Sequence, residues 1–419
     1  MNKKRALSFL TVPILAMGVL TGCGPKDDGG SKTASDTAKD EKTLLVWEDK
    51  DKVNGIKDAV ANFEKENGVK VEIKEIIMTD QVKQLRLDGP AGTGPDVITL
   101  PHDQIGGAVT EGLLAEVKVD KSVEERFTEP SVAAQKYNGK LYGLPKSTET
   151  AVFIYNKKLM PQPPKTMEEV YRFSKDFTKD GMYGFLALWD NFYFAYGIQG
   201  AMGGFVFEEK DGKLDPTKLG LNNEGAVQGA DYIAKWYKEG MFPKGIIGEN
   251  GGAAMDGLFN EGKAAAVMNG PWALAGYKDA GIDYGVAAMP TLPNGEHAKT
   301  FMGVKGYHVS GYSKKQELAT KFIDFITNEE NSKVRYEQTQ EVPPVKSLID
   351  TFTDESAKAL AEQSQYAVPM PNIPEMGEVW LPAGSALQLI VTGKSDSKKA
   401  LDEAVKQIQT NIKTNHAKE

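Results

Sequence analysis

One cysteine, Cys23, serves the whole 419-residue chain. No disulfide can staple such a fold, and no pair of thiolates can hold a metal. The structure must be held by burial alone. A chain of this length has room for about two domains, and its 40% hydrophobic content is enough to fill their cores.

The position of that cysteine carries a second message. It closes Leu20-Thr21-Gly22-Cys23, behind Lys3, Lys4, Arg5 and an apolar stretch from Ala6 to Leu20. The stretch contains Pro13 and is shorter than the roughly 20 residues that span a bilayer. Small residues before Cys23 suit processing. Residues 1–22 therefore read as a lipoprotein signal peptide, with a product that begins at Cys23 and carries lipid there. Several acyl chains on one residue would hold the protein on the extracellular face of the cell membrane, where a single chain binds only marginally. Removing 1–22 deletes three basic residues and no acid, leaving 47 basic and 58 acidic residues, a net of −11. That balance repels phosphates, and no basic stripe appears, so nucleic acid is excluded as a partner.

Residues 23–42 form the lipidated cysteine and a polar, small-residue linker that cannot bury enough surface to order itself. Order is expected from Thr43. Leu44-Leu45-Val46-Trp47 is a short apolar run, the mark of a buried strand. Ile56, Val60 and Phe63 recur at helical spacing, with Gly68 as the stop. Val69, Val71 and Ile73 alternate as a strand, and Asp96–Leu100 follows as another. This strand-helix-strand order predicts a largely parallel sheet with helices on its faces. A second start appears at Ala151–Tyr155. Thr166 and Glu169 are spaced as a capping box. Ile233, Ala234 and Tyr237 share a helical face, Ala264–Met268 is a strand, and Pro271 suits the first position of a helix. Leu401, Val405, Ile408 and Ile412 form a helical stripe near the end.

Trp47, Trp189, Trp272 and Trp380 all sit beside turn or cap signals. Trp47 also ends an apolar run, so a core role and a site role are open for it. An aromatic held at the end of an element can offer its face to a pyranose ring. Stacking of this kind is worth ~1–3 kcal/mol per ring, by analogy with bases on aromatics. Asp103 and Glu149 lie near strand ends, where a carboxylate can accept two charge-strengthened hydrogen bonds from sugar hydroxyls. Each taken singly also fits a solvated loop acid, and Asp49, Asp51 and Lys52 fit a solvated turn. The four histidines lack metal-ligand spacing. No nucleophile elbow, Walker loop or dinucleotide fingerprint occurs.

Several segments in combination carry a family resemblance. They include Leu45-Val46-Trp47, Gly94-Pro95-Asp96-Val97, His102-Asp103 with Gly106-Gly107, and Gly112-Leu113-Leu114-Ala115-Glu116. Further on stand Tyr137-Asn138-Gly139-Lys140-Leu141, Ile154-Tyr155-Asn156-Lys157, Asn269-Gly270-Pro271-Trp272 and Met370-Pro371-Asn372-Ile373-Pro374. From Leu44 to Ile412 the chain resembles the maltose/maltodextrin-binding proteins of bacterial ABC importers. The resemblance implies an α/β fold of two lobes with a ligand cleft between them. It divides the chain into 43–150 plus 303–349 and 151–302 plus 350–419. It implies a monomer that binds malto-oligosaccharide, docks on ABC permease subunits, needs no cofactor or metal and is not an enzyme. It assigns Lys52, Asp103 and Glu149 to sugar hydroxyls, Tyr193, Trp272 and Trp380 to stacking, and Met370 to an apolar contact. Asp49 falls close to a polar contact.

The chain also departs from the pattern. Leu100 stands where the family's best-known member has a tryptophan, and Gln104 replaces an arginine. Asn191 replaces an acid, and Leu381 a tyrosine. The aligned positions Gln104 and Asn191 stay in the expected ligand set. With fewer first-lobe platforms, a ligand longer than maltose recovers stacking on the remaining faces. Two alternatives stay open: another oligosaccharide such as a galactoside as cargo, or, from the pair Asp103 and Glu149, a secreted glycoside hydrolase.

Overall fold

The computed structural model describes residues 42–210, 213–349 and 351–416. The expectations for the signal peptide, for Cys23 and for the linker up to residue 41 lie outside the described residues. Among the described residues, no helix is long and apolar enough to cross a membrane.

The strands that position the site are, in chain order, β1 (Thr43–Glu48), β2 (Lys70–Glu75), β3 (Val97–Pro101), β4 (Gly143–Thr150), β5 (Val152–Asn156), β6 (Ala266–Asn269), β7 (Tyr284–Ala287), β8 (Phe301–Val309) and β9 (Val368–Pro369). β1 pairs in parallel with β2 and β3, as the strand-helix-strand reading expects. The helix between β1 and β2 runs Lys57–Asn67 and ends on Gly68, whose φ of 62° is a left-handed cap that suits a residue without Cβ. The sheet is nevertheless mixed. β8 returns antiparallel to both β3 and β4, giving six strands in all. A second sheet of three strands has the order β6-β5-β7 and is antiparallel throughout.

Apolar side chains segregate accordingly. One large core holds Val152, Phe153, Phe185, Trp189, Trp236, Val267, Leu387 and Ile408. Others hold Leu44, Val46, Phe63, Tyr307 and Phe322, and Trp47, Leu85 and Leu100. The fold is thus two-lobed α/β. Only Ala151 separates β4 from β5, and β8 carries Phe301 in one core and Tyr307 in another. These two crossing segments are hydrogen-bonded neighbours, with Met302 opposite Thr150 and Gly303 opposite Glu149.

Local signals hold well. Thr166 and Glu169 form the capping box of the helix Met167–Phe177. Pro271 opens the turn Pro271–Ala273, which continues as the helix Leu274–Asp279. Leu401, Val405, Ile408 and Ile412 are all buried on the helix Ser397–Asn415. The face of Glu224–Lys238 differs from expectation: Ala226, Ala230, Ile233 and Trp236 are buried, whereas Ala234 and Tyr237 only flank the cores. Trp47 and Trp189 are fully buried. Trp189 packs against Trp236 at 5.5 Å, so a turn signal beside a tryptophan does not place it at a site.

Candidate functional site

The first lobe delivers polar groups at its strand ends. Asp103 lies in the turn His102–Gln104 that follows β3. His102 pins this turn: its Nε2 donates to the Met370 carbonyl at 3.0 Å, and its Nδ1 accepts from the Val304 N–H at 3.1 Å. Burial pushes this imidazole down to about 4, against the pull of the Met370 carbonyl. Burial pushes the Asp103 carboxyl up to about 7, opposed by hydrogen bonds from its own backbone and from the Trp380 side chain, while Glu149 adds to the rise. Asp103 Oδ1, Gln104 Oε1 and the Tyr193 hydroxyl are buried without a hydrogen-bond partner among the described residues.

Glu149 sits near the end of β4, 2.7 Å from the Lys305 ammonium of β8. Gly303 makes room for this acid: a Cβ there would lie 3.1 Å from Glu149 Cγ and 3.5 Å from Met370 Cε. Lys305 is 3% exposed and also meets Glu341 at 3.2 Å. Lys146 extends the cluster, 2.6 Å from Glu48 and 3.3 Å from Glu341. Burial disfavours both ammoniums, but the surrounding carboxylates outweigh it and hold them above the ordinary lysine range. Burial likewise disfavours the Glu341 carboxylate, yet Lys146 and Lys305 hold it well below its usual range. Glu149 itself is raised, by burial first, with Lys305 opposing.

The second lobe supplies rings. Tyr193 is in the first turn of the helix Phe192–Ala201. Trp272 lies in the turn after β6, and Trp380 opens the helix Trp380–Val391. Ring centroids run Trp272 to Tyr193 at 6.0 Å, Tyr193 to Phe301 at 6.1 Å and Phe301 to Trp380 at 5.7 Å. The Trp272 ring folds back over Gly270, where a Cβ would come within 2.0 Å of it; any side chain at 270 would displace the ring.

Both lobes meet at these residues. Lys52 Nζ donates to the Trp272 carbonyl at 3.3 Å, and Lys305 Nζ lies 5.8 Å from the Trp272 ring centroid. Burial lowers Lys52, with Glu341 opposing. Burial lifts the Tyr193 hydroxyl well above its usual range, and Glu149 and Asp103 add to this. The structure therefore gathers Lys52, Asp103, Glu149, Tyr193, Trp272, Met370 and Trp380, with Gln104 next to Asp103. Two other expected residues have local duties. Asp49 Oδ1 accepts from the N–H groups of Lys50 and Met78, both at 2.9 Å. Asn191 is exposed and caps a helix, accepting the Tyr193 N–H at 2.9 Å.

Lys305, Glu341 and Phe301 escaped the sequence reading. For Lys305 a signal existed, a lone charge inside the apolar run of β8. Chemically, the site offers buried acceptors together with the partly exposed rings of Tyr193, Trp272 and Trp380, which pack on the fully buried Phe301, the complement of a molecule with hydroxyl edges and C–H faces. Among the described residues, no group of acids and histidines could hold a metal ion.

Fold and site define a two-lobed binding protein. Residues 58–365 match the family model of bacterial extracellular solute-binding proteins, and the chain belongs to that family. It is 50% identical over 404 residues to the galactooligosaccharide-binding protein of Bacillus subtilis, covering 95% of each chain. It is 38% identical over 428 residues to the maltodextrin-binding protein MdxE of the same organism, covering 99% of each. Among solved structures, MalX from Streptococcus pneumoniae in complex with maltopentaose superposes with a TM-score of 0.83 at 36% identity, over 88% of this chain and 100% of that one. A cyclo/maltodextrin-binding protein complexed with maltotetraose gives 0.76 at 41% identity, over 89% and 98%. The resemblance to maltodextrin-binding proteins read from the sequence thus holds along nearly the whole body.

Proposed function

We propose that this protein is the extracellular binding subunit of an ABC sugar importer, which captures a neutral oligosaccharide between its lobes and passes it intact to membrane permease subunits. The observation that carries this reading is the buried acceptor Asp103 Oδ1, which has no hydrogen-bond partner among the described residues, on a carboxyl that meets the Trp380 side chain. A buried acceptor without a partner costs about 1–3 kcal/mol, and sugar hydroxyls would supply the missing donors. Ligand contacts to both lobes favour the closed form, because a ligand shifts an equilibrium only through differential affinity. The lobes are taken as 43–150 plus 303–349 and 151–302 plus 350–419. The body acts as a monomer held to the extracellular face of the cell membrane by lipid on Cys23.

A galactooligosaccharide is the favoured cargo. The relative named for that ligand is 50% identical, against 38% for the maltodextrin-binding one. The departures at Leu100 and Leu381 agree with a changed cargo: Leu100 is fully buried and Leu381 is 75% exposed, so neither offers a platform in the cleft. Maltodextrin is the second reading, supported by the ring row and by the sugar-bound neighbours. Calorimetric titration with galactobiose to galactotetraose, and with maltose to maltoheptaose, tests both. Micromolar affinity, about −8 kcal/mol, is expected for the first series, and no heat with either would defeat the proposal. Incubation with the same sugars should release no shorter products.

A further inference from the structure

The helix Glu329–Thr339 ends on Gln340 with a φ of 59°, a left-handed cap that normally falls to glycine or asparagine. A glutamine there is strained, and strain of this kind collects at functional positions. The bend turns the next residue, Glu341, into the interior, where it is 3% exposed. The Glu341 N–H donates to Thr339 Oγ1 at 3.3 Å, and the Val342 carbonyl accepts from the Thr148 N–H of β4 at 2.9 Å. That rung lies one residue from Glu149. The Glu341 carboxylate stands between Lys305 at 3.2 Å and Lys146 at 3.3 Å. Glu48 cannot replace it, because Glu48 already accepts from Lys146 at 2.6 Å, from the Tyr307 hydroxyl at 2.7 Å and from the Asp49 N–H at 2.7 Å. Among the described residues, Lys305 has two carboxylates in ion-pair reach, Glu341 and Glu149. With Glu341 neutral, Lys305 would turn wholly to Glu149, in a buried setting where such a pair is strong. Lys52 has no ion pair among the described residues, and burial lowers its ammonium. Of the groups around it, Glu341 opposes this fall most and Asp49 also does, while Lys305 and Lys146 add to it.

We propose that Glu341 is a positioning residue of the sugar site: it divides Lys305 between two carboxylates, so that Glu149 keeps acceptor capacity for sugar hydroxyls, and it supplies the counter-charge of Lys52. This rests on the oligosaccharide reading above. Glu341 itself does not touch the sugar. It acts through Lys305 on Glu149, and across the buried cluster on Lys52.

Calorimetry on the full chain, with galactotriose and with maltotriose, provides the test. Glu341→Gln removes the charge and keeps the shape. It should bind the preferred sugar at least roughly tenfold more weakly than the wild type, a loss of the size found within a buried network. Glu341→Asp keeps the charge one methylene further from the lysines. It should recover most of that loss and end about two- to threefold weaker than the wild type. A residue that acted only by filling space would not follow charge in this way. The affinity of Glu341→Gln relative to the wild type should also fall between about pH 7 and pH 9, because Lys52 gives up its proton earlier once Glu341 is neutral. Wild-type affinity in Glu341→Gln, a Glu341→Asp protein no better than Glu341→Gln, or a ratio that stays flat with pH overturns the assignment and leaves the function reading intact. Should urea unfolding show that Glu341→Gln does not fold, Glu341→Asp carries the test alone, and wild-type affinity there overturns the assignment. A wild type that binds neither sugar defeats the oligosaccharide reading, and this inference with it.

Discussion

Glu149 meets the Lys305 ammonium at 2.7 Å, in a place where Lys305 is also bonded to Glu341 and faces the Trp272 ring of the other lobe. An acid assigned to sugar recognition is therefore held by a cation that sits on the crossing strand β8. Binding and lobe geometry share one buried side chain.

Lys305→Met removes that cation and leaves Glu149 and Glu341 with less compensation. Removing one partner from a buried ionic cluster costs about 3–5 kcal/mol. Urea unfolding should show a loss of that order, together with weakened sugar binding. An unchanged midpoint would mean that the cluster does not hold the lobe.

Trp272→Ala should weaken oligosaccharide binding by more than ~1 kcal/mol, the lower end for a lost stacking face. The ring is only partly buried, so the melting temperature should move little. Equal calorimetric affinity for variant and wild type would remove this ring from the site.

Asp103 gives a pH signature with a definite sign. Its carboxyl is pushed up to about 7 from an ordinary 3.8. Between those values the native chain keeps a proton that the unfolded chain has released, so stability falls as pH rises through the window. Asp103→Asn abolishes that contribution. The melting temperature of the wild type relative to the variant should decline from pH 4 to pH 8. A difference that stays flat across this range would place Asp103 in water instead of in a buried wall.

Cys23→Ser should give unlipidated protein that is shed into the medium, since one residue is asked to supply the whole membrane attachment. Fractionation and mass spectrometry decide the matter, and a variant still acylated and membrane-bound would overturn the anchor.

The sequence revealed most where a few neighbouring residues decide the outcome. Gly68 stops a helix because it alone there adopts positive φ freely, and Thr166 with Glu169 caps one through bonds three residues apart. Strand-end and turn signals singled out Asp103, Glu149, Trp272 and Trp380 but left the acids indistinguishable from solvated loop acids; Tyr193 came from the family resemblance alone. Lys305 stayed hidden because its partners Glu149 and Glu341 come from distant parts of the chain, and only the antiparallel return of β8 brings them together. Trp189 misled for the same reason, its partner Trp236 being on a separate helix.

The joint at Ala151 spans one residue, a reach of at most about 3.6 Å, and it lies against a second crossing that is bonded to it rung by rung. Sliding one half past the other would force those rungs out of register and turn every side chain on the ribbon to the opposite face. Bending and twisting leave the rungs intact. If the lobes close on a ligand as proposed, the two-stranded strap predicts a swivel, and fluorescent labels set across the cleft should report a change of angle in which the halves never drift apart.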